Sequence, residues 1–139
     1  MSDPSVQLLQ DFILRSPYVR FLGMEAELEG AEVKARLPFA DHLIGNPFLP
    51  ALHGGVIGAF MEMTALAQLA VAEPSRKRPK TIDVTIEYLR PGRAQTLHAH
   101  ADLRKVGRRI ANVHVEAWQD DPAKPVAFLR GHFLLRDEG

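Results

Sequence analysis

The chain reads as an α+β domain, and three observations carry that reading. Residues Gly55 to Ala72, GVIGAFMEMTALAQLAVA, form one almost uninterrupted apolar run of helical length. Downstream of it, four segments alternate apolar and polar residues with the period of a strand. No βαβ repetition, Gly-x-Gly-x-x-Gly, phosphate loop or internal repeat is present to argue for a parallel sheet. At 139 residues the sequence fits a single domain, 1–139, with one core.

Each element follows from its local pattern. Val6 to Leu14 is a short amphipathic helix, with Val6, Leu9, Phe12 and Ile13 on one side and Ser5 placed to cap it. Pro17 and Gly23 then break the chain. Met24 to Leu28 is a strand, turned at Glu29-Gly30 into a second one. There Val33, Ala35 and Leu37 alternate with Glu32, Lys34 and Arg36 until Pro38 stops it. Phe39 to Leu52 shows no sustained period and reads as loop. The apolar helix follows, and Glu73 to Lys80, with Pro74 and Pro79, is expected to be a second loop.

The alternating region comes next. Ile82, Val84, Ile86 and Tyr88 form the first set, opposite Thr81, Asp83, Thr85 and Glu87. Leu97, Ala99, Ala101 and Leu103 form the second, and Ala111, Val113, Val115 and Ala117 the third. Val126 to Leu135 is a fourth strand of weaker alternation. Arg90–Arg93, Val106–Arg108 and Gln119–Pro122 have hairpin lengths, so four consecutive antiparallel strands are expected. One face of that sheet is apolar and needs a cover, and the long helix is the element of suitable size.

Seventeen basic and seventeen acidic residues cancel, so no global field draws the protein to nucleic acid or membrane. Basic residues do cluster, at Arg76–Lys80 and at Arg104-Lys105 with Arg108-Arg109, as solvated segments or as a site for an anionic ligand. The absence of cysteine excludes disulfides and thiolate chemistry and fits a cytoplasmic address. The first residues lack a basic segment before an apolar run, so no secretory signal is expected. The helix is a poor membrane span, because the 17 residues from Val56 to Ala72 are interrupted by Glu62, Thr64 and Gln68, whereas a bilayer asks for about 20. It reads as a core helix. His98, His100, His114 and His132 lie in strands without ligand spacing, so no metal is expected.

Glu62 is the anomaly of the chain. A carboxylate within so apolar a helix is expected to be largely buried, at a cost of several kcal/mol unless it is paired or hydrogen-bonded. Catalysis is one common reason to carry that cost. Gly54 and Gly55 begin the same helix, and their amides point out of a terminus that favours negative charge. Gly54 and Glu62 are eight residues apart, or roughly 12 Å along the axis. One helix cannot bring both to one carbonyl, so if both act they come from different subunits.

Three segments together carry a family resemblance. They are Leu52-His53-Gly54-Gly55-Val56 with Glu62 nine positions after the histidine; Thr81-Ile-Asp-Val-Thr-Ile-Glu-Tyr-Leu-Arg-Pro-Gly92; and Val106-Gly-Arg-Arg-Ile-Ala111. In this order, over residues 20 to 136, the chain resembles the hotdog-fold acyl-CoA thioesterases, and within them the phenylacetate-degradation type. The resemblance implies a long central helix wrapped by a curved antiparallel sheet. It implies a homodimer with active sites at the subunit interface, pairs of which stack into tetramers in some members.

The roles it implies fall on particular residues. Glu62 takes the place of the acidic catalyst, either activating water as general base or attacking the thioester carbonyl. The Gly54 and Gly55 amides would hold the developing oxyanion. His53 would shape the loop and the helix start. Asn46 matches the polar residue that orients thioester or water, once a one-residue insertion is allowed, since Pro47 occupies the ungapped position. Thr81 would hold the water or Glu62 by its hydroxyl. Leu66 stands where the glutamate-bearing branch can carry a threonine. Arg90, Lys105, Arg108 and Arg109 are candidates for the phosphates of coenzyme A, which is part of the substrate, so no separate cofactor is expected. Phe60, Met61 and Met63 are candidates for an acyl pocket.

The function implied is hydrolysis of an acyl-CoA, medium-chain or aromatic, to free acid and CoA. The competing class is a non-catalytic acyl-CoA-binding or sensing protein on the same fold. A hydratase of this fold pairs aspartate and histidine at short spacing, whereas Asp41 and His42 are adjacent here.

Overall fold

A computed structural model describes residues 3–137; the N-terminal Met1-Ser2 and the last two residues lie outside them. Two short helices, α1 (Pro4–Arg15) and α2 (Pro17–Leu22), precede a strand pair, β1 (Glu25–Glu29) and β2 (Glu32–Leu37). A 3-10 turn at Asp41–Leu43 leads into a small hairpin of β3 (Ile44–Asn46) and β4 (Ala51–Leu52). The long helix α3 (Gly54–Ala72) follows, then β5 (Arg76–Tyr88), β6 (Leu97–Val106), β7 (Ile110–Trp118) and β8 (Ala127–Asp137).

The α1 cap is Asp3, which accepts from the Ser5 amide at 2.9 Å, so Ser5 is inside the helix it was expected to cap. Pro17 starts α2 instead of breaking the chain. Proline is tolerated at the first helical position, where its missing N–H has no partner to lose. Gly23, at φ 82°, ends α2 in the left-handed conformation that glycine adopts without strain.

The main sheet is antiparallel throughout, with strand order β1-β2-β6-β7-β8-β5. Its inner face is Val33, Ala35, Leu37, Leu97, Ala99, Ala101, Ala111, Val113, Val115, Ala117, Ala127, Leu129, Phe133 and Leu135, all buried around α3. Many of these are alanine, so helix and sheet approach closely, and the sheet wraps the helix as the resemblance implied. Gly131 holds an inward position of β8, where a Cβ would sit 2.9 Å from the Phe133 ring. The inner-face alternation of β8 is thus regular, and the missing side chain hides it. Gln68 enters the core with both ends of its amide satisfied. Its Oε1 accepts from Val33 N–H at 2.8 Å and its Nε2 donates to Ala31 O at 2.9 Å, tying α3 to the β1–β2 turn.

Three expectations are corrected here. Residues 76–80 are strand, not loop, because Arg76, Lys77 and Lys80 pair with Asp137, Arg136 and Leu134. Arg90–Arg93 is no hairpin. β5 pairs with β8 at the sheet edge while β2 pairs with β6, so the chain leaving β5 crosses the end of the barrel-like wrap to reach Leu97. That crossover passes the start of α3, where Gly92 O accepts from Leu52 N–H at 2.9 Å and Ala51 bridges Arg93.

The third correction concerns the face of β5. Thr81 pairs with Phe133 and Asp83 with His132, so β5 carries an extra residue here, after an earlier shift between Lys77 and Lys80. This bulge shifts the alternation. Thr81 joins Val84 and Ile86 on the helix side, and Ile82, expected inside, is 51% exposed.

Candidate active site

One stripe of α3 faces β5. Gly54, Gly58 and Glu62 are spaced by four residues and lie one above another on the helix. Each meets a different residue of the strand. An added Cβ on Gly54 would touch the Tyr88 ring at 3.5 Å, and one on Gly58 would come within 2.7 Å of Ile86 Cδ1, so the helix runs close only because both are glycine. Glu62, two turns on, accepts a hydrogen bond from Thr81: Oγ1 to Oε2 is 2.7 Å. The bulge makes this contact, because a regular strand would point Thr81 to the outer face. Glu62 is half-buried in the chain, less than its apolar surroundings in sequence suggested.

The start of α3 is built by His53. It occupies the N-cap with φ −63° and ψ 131°, its carbonyl accepting from Val56 and Ile57. Its Nδ1 accepts from the Gly55 amide at 2.9 Å, which places the ring proton of the neutral form on Nε2. Its own N–H donates to Leu43 O at 2.8 Å. Gly45 lets this happen, since a Cβ there would lie 2.7 Å from His53 Cα. The two glycine amides therefore differ. Gly55 N–H is spent on the cap, whereas Gly54 N–H has no hydrogen-bond partner among the described residues. The expectation of two available amides is narrowed to one.

Gly54 borders a cavity of ≈ 390 Å³, lined by Leu52, Ile57, Tyr88, Arg90 and Pro91 among others. The Tyr88 hydroxyl donates to Gly54 O at 2.7 Å. Sequence reasoning did not single out Tyr88, although it stands in the quoted Thr81–Gly92 segment.

The other predicted residues scatter. Asn46 is exposed at the end of β3 and its Oδ1 accepts from Phe48 N–H at 3.0 Å, within its own turn; among the described residues no hydrogen bond ties it to Gly54 or Glu62. β3 carries an extra residue opposite β4 between Ile44 and Asn46. Arg90 is exposed beside the cavity. Lys105 lies across the sheet level with Asn112, His132 and Asp83, while Arg108 and Arg109 lie farther on, by the start of β5. Arg76 Nη1 donates to Arg108 O there at 2.6 Å, and Arg109 O accepts from Leu135 N–H. Phe60 and Met61 are fully buried core residues, while Met63 is half-buried. His42 is occupied by the backbone, its Nε2 2.8 Å from Phe21 O.

On the outer sheet face His114 is held below its ordinary 6.5 by burial first, then by Arg104 and Arg130, with Asp102 opposing. It belongs to the face opposite Glu62.

Comparison with known proteins agrees with this geometry. The model of the thioesterase superfamily matches residues 49–126, which span the start of α3, β5 and the crossover. The medium/long-chain acyl-CoA thioesterase YigI of Escherichia coli (strain K12) is 30% identical over 125 residues, covering 79% of this chain and 80% of that protein. A crystal structure of a Chromobacterium violaceum protein is 42% identical, covers 92% of this chain and 89% of its own, and superposes with a TM-score of 0.74. A phenylacetic acid degradation-related protein from Ralstonia eutropha JMP134 shares the fold at 21% identity, with a TM-score of 0.77 over 91% of this chain and 98% of that one. With a helix wrapped by an antiparallel sheet and a family match over more than half its length, the chain belongs to the thioesterase superfamily and has its hotdog fold.

Proposed function

We propose that the protein hydrolyses an acyl-CoA thioester to the free carboxylic acid and CoA, as a homodimer whose active sites each draw on two chains. The observation that carries this reading is the Gly54–Glu62 stripe. It offers one unpartnered amide at a helix N-terminus and, two turns away, a carboxylate held by a hydroxyl. The two stand roughly 12 Å apart along one axis, too far to serve a single carbonyl. The amide of one chain and the carboxylate of the other form one site.

In that site the thioester oxygen sits on Gly54 N–H. Thr81 donates to Glu62 Oε2, which leaves Oε1 to take a proton from water as the water oxygen attacks the carbonyl carbon. Negative charge gathers on the former carbonyl oxygen, where the amide and the helix dipole favour it. The intermediate collapses by breaking the carbon–sulfur bond, and the leaving thiolate recovers the proton. Direct attack by the Glu62 carboxylate, followed by hydrolysis of the anhydride, uses the same contacts.

The outer edge of β5 supports the dimer. It has no neighbouring strand among the described residues, and apolar side chains crowd near it: Ile82, Tyr88 at 53% exposure, Leu89, and Phe48 at 95% in the β3–β4 turn. Such an edge is a template for pairing with another chain. Arg90, beside the Gly54 cavity, is our candidate to meet phosphate, and Asn46 our candidate to orient thioester or water. Medium- to long-chain acyl groups are supported by the named activity of the Escherichia coli relative, and aromatic ones stay within the range to be tested.

The test is thiol release from short, medium, long and phenylacetyl-type CoA esters, with Glu62→Gln beside wild type. Wild type is expected to hydrolyse members of the panel and the variant to lose at least about 100-fold in kcat while remaining folded and dimeric. Saturable binding without release would instead assign the chain to acyl-CoA sensing.

A further inference from the structure

We propose that Tyr88 is a positioning residue, fixing the direction of the Gly54 amide; the inference rests on the thioester-hydrolysis reading above. Gly54 joins two peptide planes, and glycine itself restrains neither. The first plane, His53–Gly54, carries the free N–H. It is held because the His53 carbonyl accepts from Val56 and Ile57. The second, Gly54–Gly55, is held at both ends: Gly55 N–H donates to His53 Nδ1 at 2.9 Å, and the Tyr88 hydroxyl donates to Gly54 O at 2.7 Å. Without Tyr88 that carbonyl keeps only its bond within the helix, and the residue bearing the oxyanion donor loses its tie to β5.

Strand and helix packing make the clamp specific. Tyr88 follows Val84 and Ile86 on the helix side of β5, and its ring lies 3.5 Å from where a Gly54 Cβ would be. The hydroxyl also sits 3.4 Å from the corresponding point on Gly58. The phenol thus spans the first turn of α3 through a gap that two glycines leave open. A preorganised donor lowers the barrier because it needs no reorientation when charge develops, so loosening it acts on the transition state more than on substrate binding.

The experiment compares wild type with Tyr88→Phe, which keeps the ring and removes one hydrogen bond. Steady-state kinetics on the best acyl-CoA should show kcat lower by about tenfold and KM within about twofold. Amide hydrogen exchange should show Gly55 protection lowered by a similar factor, with the melting temperature and dimer retained. An unchanged kcat overturns the proposal, and so does a fall in kcat matched by the melting temperature. Unchanged Gly55 exchange overturns it whatever the activity. Wild type that hydrolyses no thioester, yet loses Gly55 protection on Tyr88→Phe, keeps the clamp and discards the hydrolysis reading.

Discussion

At its N-terminal end α3 meets β5 through glycine, and at its middle through a glutamate. At Gly54 and Gly58 the helix gives up its side chains. The strand's tyrosine and isoleucine fill the space, and the group left without a partner is a backbone amide. At Glu62 the helix keeps a polar side chain, and a threonine turned inward by a bulge restrains it. The donor end is rigid because several hydrogen bonds converge on two peptide planes. The acceptor end depends on a single hydroxyl. On the reading proposed above, one helix supplies a hydrogen-bond donor and a base two turns apart, and two copies bring them face to face.

The sharpest way to break this comparison is to remove the donor without touching the acceptor. Gly54→Pro replaces the N–H by the ring Cδ, at the first helical position, where proline is accepted. His53 before it is already extended, as a residue preceding proline must be, and the nearest atom to a Cβ there is at 3.5 Å. kcat should fall on the order of 100-fold or more, the scale of a lost oxyanion donor. The melting temperature should hold or rise, because proline restricts the unfolded chain. Mixing this variant with Glu62→Gln, after reversible dissociation, tests the shared site itself. Mixed dimers contain one doubly altered and one intact site, so activity should return to about a quarter of wild type. No recovery would place both groups within one chain.

The acceptor end should respond less steeply. Thr81→Val keeps the shape and leaves Glu62 Oε2 without its donor, and kcat should drop by about tenfold to 100-fold, the range for a hydrogen bond to a charged group. Equal loss of kcat/KM and unchanged dimerisation would confine the effect to the carboxylate; no loss would remove Thr81 from the site.

The smallest expected change separates helix building from chemistry. His53→Ala removes the side chain that caps Gly55. Thermal or urea unfolding should report a loss of about 1 kcal/mol, as for other N-caps. Activity should fall less than in Gly54→Pro, since the free amide belongs to Gly54. A larger loss of activity than of stability would give the imidazole a direct part.

How much of the site could be read along the chain depended on whether the signal was local. Glu62 was legible because a charge within an apolar run is visible from its neighbours. His53 and the glycines were legible because a loop gives way there to a sustained helical run. Thr81 was named, but simple alternation put it with Asp83, since the extra residue in β5 has no mark in β5 itself and is defined only by its pairing with β8. Gly55 was credited with a free amide that a neighbouring imidazole takes. Tyr88 was read as one more apolar residue of a strand. The four basic candidates looked equivalent, and the fold scatters them, with Arg90 beside Gly54 and the other three elsewhere on the sheet.

Periodicity and composition decide which segments are helix or strand, which helix must be buried, and where an acid interrupts it, because these depend on residues within a turn or two of one another. They do not decide that β5 closes the sheet beside β8 while β6 takes β2, nor that one extra residue turns a threonine inward. Strand order and register are settled by competition among distant edges for hydrogen-bonding partners and for the same apolar helix. The meetings that matter here, Thr81 with Glu62 and Tyr88 with Gly54, join residues 19 and 34 positions apart, and only that long-range pairing brings them together.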